Sequence, residues 1–239
     1  MLILANSLVT GFFKSNLVGQ GIVLAQLFGS VIMLAVIVGK WMQLKGVSFS
    51  ARRFLNDFAA GGTVLEYYMA RRPQKSSGIE GIYKLTAERL LNMISPDARA
   101  RLVARQASDG AALSAREIEL VKGTCDHILD EEELRVESGM GWIATVVALA
   151  PMLGLLGTVW GVLDAFDEMG AAGSANLATI APSISAALVT TVVGLLVAIP
   201  GVVCFNALNA MIRNLTSDME GFADELIGRI ACEFQGLGA

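Results

Sequence analysis

Three threonines, Thr158, Thr190 and Thr191, lie inside long apolar runs of this 239-residue chain. A hydroxyl is donor and acceptor at once, so it can hydrogen-bond a carboxylate in its charged or its protonated form. It does no covalent chemistry in that role. A threonine in an apolar helix can also satisfy itself on its own i−4 carbonyl and do nothing more. Position argues for the larger role here, because each of the three lies on a row of small residues where a partner group can approach. Ser183, Ala187 and Thr191 form one such row at i, i+4 spacing, and Ala186, Thr190, Gly194 and Ala198 form the row beside it. Ala150, Gly154 and Thr158 form a third, overlapped by a Gly157–Gly161 pair of GxxxG type.

What the apolar runs lack is as informative. None of them contains Asp, Glu, Lys, Arg or His. Proton pumps and transporters carry titratable groups inside the bilayer, because a moving ion needs a place to stop. If this chain serves proton movement, the carboxylate comes from another chain. No GxSxG, HExxH or intramembrane carboxylate pair is present, so the chain reads as no enzyme. Cys125, Cys204 and Cys232 are an odd count without CxxC spacing and read as small buried hydrophobes. His127 is the only histidine and is expected on a helix surface. No metal site and no cofactor is expected, only protons as coupling ion. The net charge of −4 suggests no nucleic acid.

The elements that must position the threonines are membrane helices. The chain is 54% hydrophobic and only 17% charged, against about 25% charged in an ordinary soluble domain. Val18–Gly39, Trp142–Leu163 and Ile184–Phe205 are each long enough for the hydrocarbon core, which takes about 20 apolar residues. The expected fold is all-α with three transmembrane helices at 18–39, 142–163 and 183–205. Lys40, Lys45, Arg52 and Arg53 follow the first run without an acid, whereas Asp164, Asp167 and Glu168 follow the second without a base. The positive-inside rule then places residues 40–141 and the C-terminal segment 206–239 in the cytoplasm. The N-terminal segment 1–17 and a 164–182 loop face the periplasm. Segment 1–17 has no cleavable signal character and reads as an interfacial helix ending at Lys14.

The cytoplasmic insert carries 15 Lys/Arg and 14 Asp/Glu. Pro73, Pro96 and the Gln74–Gly78 stretch divide it into helical pieces. Ser114 with Glu117 makes a capping box, and the helix it starts is expected to run into the second span without interruption. The acidic run Asp130–Glu133 reads as a solvated face. Leu208, Ile212, Leu215, Met219, Phe222, Leu226 and Ile230 recur at steps of three and four, an apolar stripe on a helix that continues the third span to Phe234. The stripe can pack within the subunit or against neighbours. Pro151, Pro182 and Pro200 are expected to kink the helices that carry them.

The segment Ala150-Pro-Met-Leu-Gly-Leu-Leu-Gly-Thr-Val-Trp-Gly161, followed by Phe166, resembles the second-span signature of the ExbB/TolQ family, within the MotA/TolQ/ExbB proton channels. The third span of that family resembles Ala181-Pro-Ser-Ile-Ser-Ala-Ala-Leu-Val-Thr-Thr-Val-Val-Gly-Leu-Leu-Val-Ala-Ile-Pro200 with Asn206. The resemblance covers residues 139–215 strongly and the first half only by topology. It implies a ring, a homopentamer, around two copies of an ExbD/TolR-like single-span partner whose helix brings an Asp. It implies a motor of the bacterial inner membrane, driven by the proton motive force and delivering energy to the envelope through a TonB/TolA-like or gliding-machinery protein. The family's pore threonines map onto Thr158 and Thr191, with Thr190 and Thr145 as secondary candidates. The small residues Gly154, Gly157, Gly161, Ala186, Ala187, Gly194 and Ala198 map onto its packing faces. Its usual third-span glutamate falls on Ala186, a departure that also fits a divergent gliding-motility motor. A membrane scaffold without ion coupling is the remaining alternative.

Overall fold

The computed structural model describes residues 12–13, 15–59, 63–71, 78–94, 113–172 and 177–234. Lys14, Pro73, Gln74–Ser77, Pro96 and most of the N-terminal segment lie outside the described residues. Among those described there are six long helices and no strand: α1 (Leu17–Ala59), α2 (Val64–Arg71), α3 (Gly78–Met93), α4 (Ala115–Glu137), α5 (Met140–Ala172) and α6 (Leu177–Phe234). Three stretches are long and apolar enough to cross a membrane, and they fall on α1, α5 and α6. The chain divides into two compact units. Met1–Trp41 with Gly139–Asn209 forms the first, and Met42–Ser138 with Ala210–Ala239 forms the second.

The second unit is built on aromatic packing. Phe54 and Phe58 of α1, Tyr67 of α2, Tyr83 of α3 and Phe222 of α6 pack ring against ring at centroid separations of 5.3–5.9 Å, mostly edge to face. Such pairs add about 0.5–1.5 kcal/mol beyond the area they bury. The Tyr83 hydroxyl, fully buried, donates to the Val64 carbonyl at 2.5 Å, and burial raises its pKa far above the phenol range. The stripe on α6 is internal to the chain, with Leu208, Ile212, Leu215, Met219, Phe222, Leu226 and Ile230 all buried.

Two carboxylates cap helices distant in sequence. Glu233 accepts from the Val64 amide at 3.0 Å through both oxygens, at the N-terminus of α2 where unsatisfied donors and the helix dipole favour a negative charge. Burial is the main reason its pKa lies above the ordinary carboxylate range. Glu132 accepts from the Gly78 amide at 2.8 Å at the start of α3 and pairs with Arg135. Glu132 is therefore buried, and the reading of Asp130–Glu133 as a uniformly solvated face is corrected. Of the rest of the run, Asp130 and Glu131 are exposed and Glu133 is half-buried. Gly78 has φ +66°, a left-handed conformation that glycine adopts without steric cost.

The capping box at α4 is present in both directions, Ser114 accepting from the Glu117 amide and the Glu117 carboxylate from the Ser114 amide. The Ser114 amide, and after it the Ser114 hydroxyl, donate to the Glu117 carboxylate at 2.8 and 2.7 Å and hold it below its usual pKa. Ser114→Ala removes the hydroxyl at a cost of about 1 kcal/mol. The expected readout is about fivefold faster amide exchange in the first turn of α4, with the rest of the chain unchanged.

Three further expectations are corrected. The helix begun at Ser114 does not run into the second span: α4 ends at Glu137, and Gly139, at φ +84°, separates it from α5. The 164–182 loop is shorter than expected, because α5 continues to Ala172 and α6 begins at Leu177. The acids of that stretch end the apolar run without ending the helix. Of the cysteines only Cys125 is buried, while Cys204 is half-buried and Cys232 exposed. His127 lies on the helix surface as expected, beside Glu131 at 3.5 Å.

Candidate functional site

The site lies in the first unit, where α5 and α6 meet, and glycines set how closely they meet. A Cβ added at Gly154 would lie 2.9 Å from Thr191 Cα and 3.1 Å from the Thr190 carbonyl oxygen. One at Gly194 would lie 2.5 Å from the Ala150 carbonyl oxygen, and one at Gly161 would lie 2.5 Å from Ala187 Cβ. At Gly157 it would collide with the Thr190 side chain. In lipid, where there is no hydrophobic force between helices, backbone approach of this kind is what holds them together. Ala186, Ala187 and Ala198 are buried as well, so both rows of small residues on α6 serve contacts within the chain. Helices α5 and α6 remain helical through Pro151, Pro182 and Pro200.

This proximity brings three hydroxyls to one carbonyl. Gly154 O accepts from Thr191 Oγ1 at 2.8 Å and Thr190 Oγ1 at 3.2 Å, with Thr158 Oγ1 at 3.3 Å. A carbonyl has two lone pairs, so the three compete. Thr190 also reaches Ala187 O at 2.7 Å, and Thr158 reaches Leu155 O at 2.8 Å. Thr158 Oγ1 and Thr191 Oγ1 are 3.2 Å apart. The shortest bond to Gly154 O makes Thr191 its principal donor, and the Thr191 oxygen can then accept from Thr158 whenever that hydroxyl turns from Leu155 O. Thr158 and Thr191 are half-buried, whereas Thr190 is 1% exposed. The structure thus pairs Thr158 with Thr191 at a reachable position and encloses Thr190 behind them. Thr145 stands apart, exposed and bonded to Gly141 O of its own helix at 2.8 Å.

The sequence reading passed over Gln26 of α1. Its side chain is buried, and Nε2 donates to Ala150 O at 3.0 Å and, more loosely, to Thr190 O at 3.4 Å. Oε1 is buried without a hydrogen-bond partner. An uncharged amide passes any search for titratable residues. The available signal was periodicity, because Ile22, Val23, Gln26, Met33 and Ile37 share the buried face of α1.

Ala186 lines a cavity of about 140 Å³ with Asp164, Glu168, Ser183, Thr190 and Asn16 among its walls. Glu168 accepts there from Ser183 Oγ at 2.7 Å, and Asn16 caps α1 by accepting from the Gly19 amide at 2.7 Å. The acids of α5 therefore stand on the same cavity as the alanine that occupies the expected glutamate position. Among the described residues no group of His, Cys, Asp and Glu could hold a metal ion.

Residues 95–221 match the model of the MotA/TolQ/ExbB proton channel family. The chain is 28% identical over 218 residues to the Tol-Pal system protein TolQ of Haemophilus influenzae, covering 90% of this chain and 89% of that one. It is 32% identical over 158 residues to the biopolymer transport protein ExbB of Xanthomonas campestris pv. campestris, covering 64% and 62%. Over 96 residues it is 42% identical to the ExbB of Neisseria gonorrhoeae, covering 40% and 44%. The family match spans α4, α5 and most of α6, including the whole threonine cluster on α5 and α6, and the chain belongs to the MotA/TolQ/ExbB proton channel family.

Proposed function

We propose that this chain is the ring-forming subunit of a proton-driven motor in the bacterial inner membrane. In this reading it assembles as a pentamer around an ExbD/TolR-like partner that supplies a membrane Asp. The observation that carries it is the Thr158–Thr191 pair, 3.2 Å apart and half-buried, within runs that hold no titratable residue. The partner's carboxylate, when charged, accepts from these hydroxyls, and when protonated donates to them. Protonation removes the cost of carrying a charge past apolar wall. Partner rotation follows, and the partner's periplasmic part passes the work to the envelope. The TolQ match extends over most of both chains, which favours a Tol-type role over biopolymer transport. The direct test is proton flux in proteoliposomes holding the complex purified with its native partner. Flux indistinguishable from empty vesicles would remove the motor reading and leave a scaffold.

Orientation belongs to the same proposal. Four bases follow the first apolar run and three acids follow the second, which places the α5–α6 connection in the periplasm. A cysteine at Gly173 is expected to label with an impermeant thiol reagent applied from the periplasm, and one at Ser77 is not. The reverse pattern overturns the orientation.

A further inference from the structure

The geometry points to Gln26 as a positioning residue of the proton path, an amide that clamps α5 and α6 at the turn where they present Thr158 and Thr191. The inference rests on the motor reading for its functional meaning, and on geometry alone for the clamp. Gln26 Nε2 reaches Ala150 O at 3.0 Å and Thr190 O at 3.4 Å. Those carbonyls belong to the residues four positions before Gly154 and Gly194, so each is also the helical partner of a contact glycine's amide. The amide fits because both positions are glycine: a Cβ at Gly194 would lie 2.8 Å from Nε2, and one at Gly154 would lie 3.4 Å from it. One residue further along α6 is Thr191, whose hydroxyl bonds Gly154 O at 2.8 Å.

The amide can sit only this way round. Reversed, Oε1 would face two carbonyl oxygens, which offer it no proton. In the observed orientation Oε1 is buried and unpaired. A buried unpaired acceptor costs about as much as a bond such as the one Nε2 makes contributes, so the side chain adds little net stability. What it fixes is register: α1 is held to both other helices at one level, and the Gly154 carbonyl that seats the hydroxyls is held with it. Gly21 and Gly29 lie five and three residues from Gln26 along α1, yet an added Cβ meets nothing closer than 3.5 Å at either.

Two substitutions test this in the complex purified with its native partner, with proton flux as one readout. Gln26→Leu keeps the bulk and removes the donor. It is expected to leave the complex at its normal mass and to lower flux about tenfold or more, since small misplacement of reacting groups costs up to about 100-fold. Gln26→Glu separates positioning from bulk by its pH profile. A glutamic acid facing two carbonyls, and buried, has a raised pKa. Protonated, it donates to Ala150 O and restores the clamp; ionised, it is repelled. Flux in this variant is expected near wild type at low pH and lost as pH rises, a limb absent from the wild type and from Gln26→Leu. Amide exchange at Gly154 and Gly194 is the readout independent of proton movement, expected about tenfold faster in Gln26→Leu. Wild-type flux in both variants, or a parallel pH-independent loss in both, overturns the positioning role. Unchanged exchange in Gln26→Leu overturns the clamp. Absence of flux in the wild type instead removes the motor reading, and exchange still decides the clamp.

Discussion

Thr158→Val and Thr191→Val are each expected to abolish proton-driven work while the protein still inserts and assembles. Valine keeps the shape of threonine and deletes the oxygen, so the change isolates the hydrogen bond. Thr158 bonds carbonyls of its own helix and, across to α6, Thr191 Oγ1 at 3.2 Å; without that one contact the bond from Thr191 to Gly154 O at 2.8 Å still joins the two helices. Without the Thr191 hydroxyl, Gly154 O still accepts from Thr190 at 3.2 Å, so the contact between α5 and α6 survives. What each variant loses is a donor to a charged carboxylate, worth roughly 1.5–3 kcal/mol. That is a factor of about ten to more than a hundred in each passage of the partner's Asp. Thr→Ser at either position retains the oxygen and is expected to keep partial function. Thr190→Val is expected to cost stability more than flux, because that hydroxyl is 1% exposed and bonds Gly154 O and Ala187 O. The measurement is flux, or complementation of a strain lacking the gene, with expression and complex size as controls. Wild-type activity in the Thr158→Val, Thr191→Val double variant would remove both residues from the mechanism.

How far the sequence discloses this arrangement depends on the range of each interaction. The capping box at Ser114 and Glu117 is legible because both partners lie within one turn. The α6 stripe is legible because helical period alone selects its residues, although burial within the chain is a tertiary fact. Glu132 looked solvated because its partner, the Gly78 amide, is 54 residues away. The break at Gly139 falls at a two-residue turn with no proline to mark it, and a left-handed φ leaves no periodic trace. In the site, small-residue rows marked α5 and α6 as packing faces. The pairing of Thr158 with Thr191 came from family resemblance rather than from spacing. Gln26 was missed because a search for charge ignores an amide, and its partners are backbone carbonyls 124 and 164 residues away.

Gly194→Leu is expected to yield no assembled complex, whereas Leu195→Val, one residue along, is expected to be nearly neutral. The two positions differ in what already occupies the space. A single Cβ at Gly194 would lie 2.5 Å from the Ala150 carbonyl oxygen and 2.8 Å from Gln26 Nε2. The first obstacle is helix backbone, which cannot rotate aside, so even Gly194→Ala forces α5 and α6 apart. Overpacking in a close-packed interior costs about 1–3 kcal/mol and more when backbone must move; leucine adds three further carbons along the same vector. Leu195 is 44% exposed, and shortening it to valine removes one methylene from a face this chain does not cover. Gly21→Ala is the control for glycine itself, because a Cβ there meets nothing within 4 Å. Parting the helices also pulls Thr191 from Gly154 O, now at 2.8 Å, so partial assembly of Gly194→Ala is expected to come with reduced flux. Size-exclusion profiles and native mass of the complex decide the matter. A Gly194→Leu complex of normal mass and activity would mean that this face of α6 does not meet α5 at the approach described.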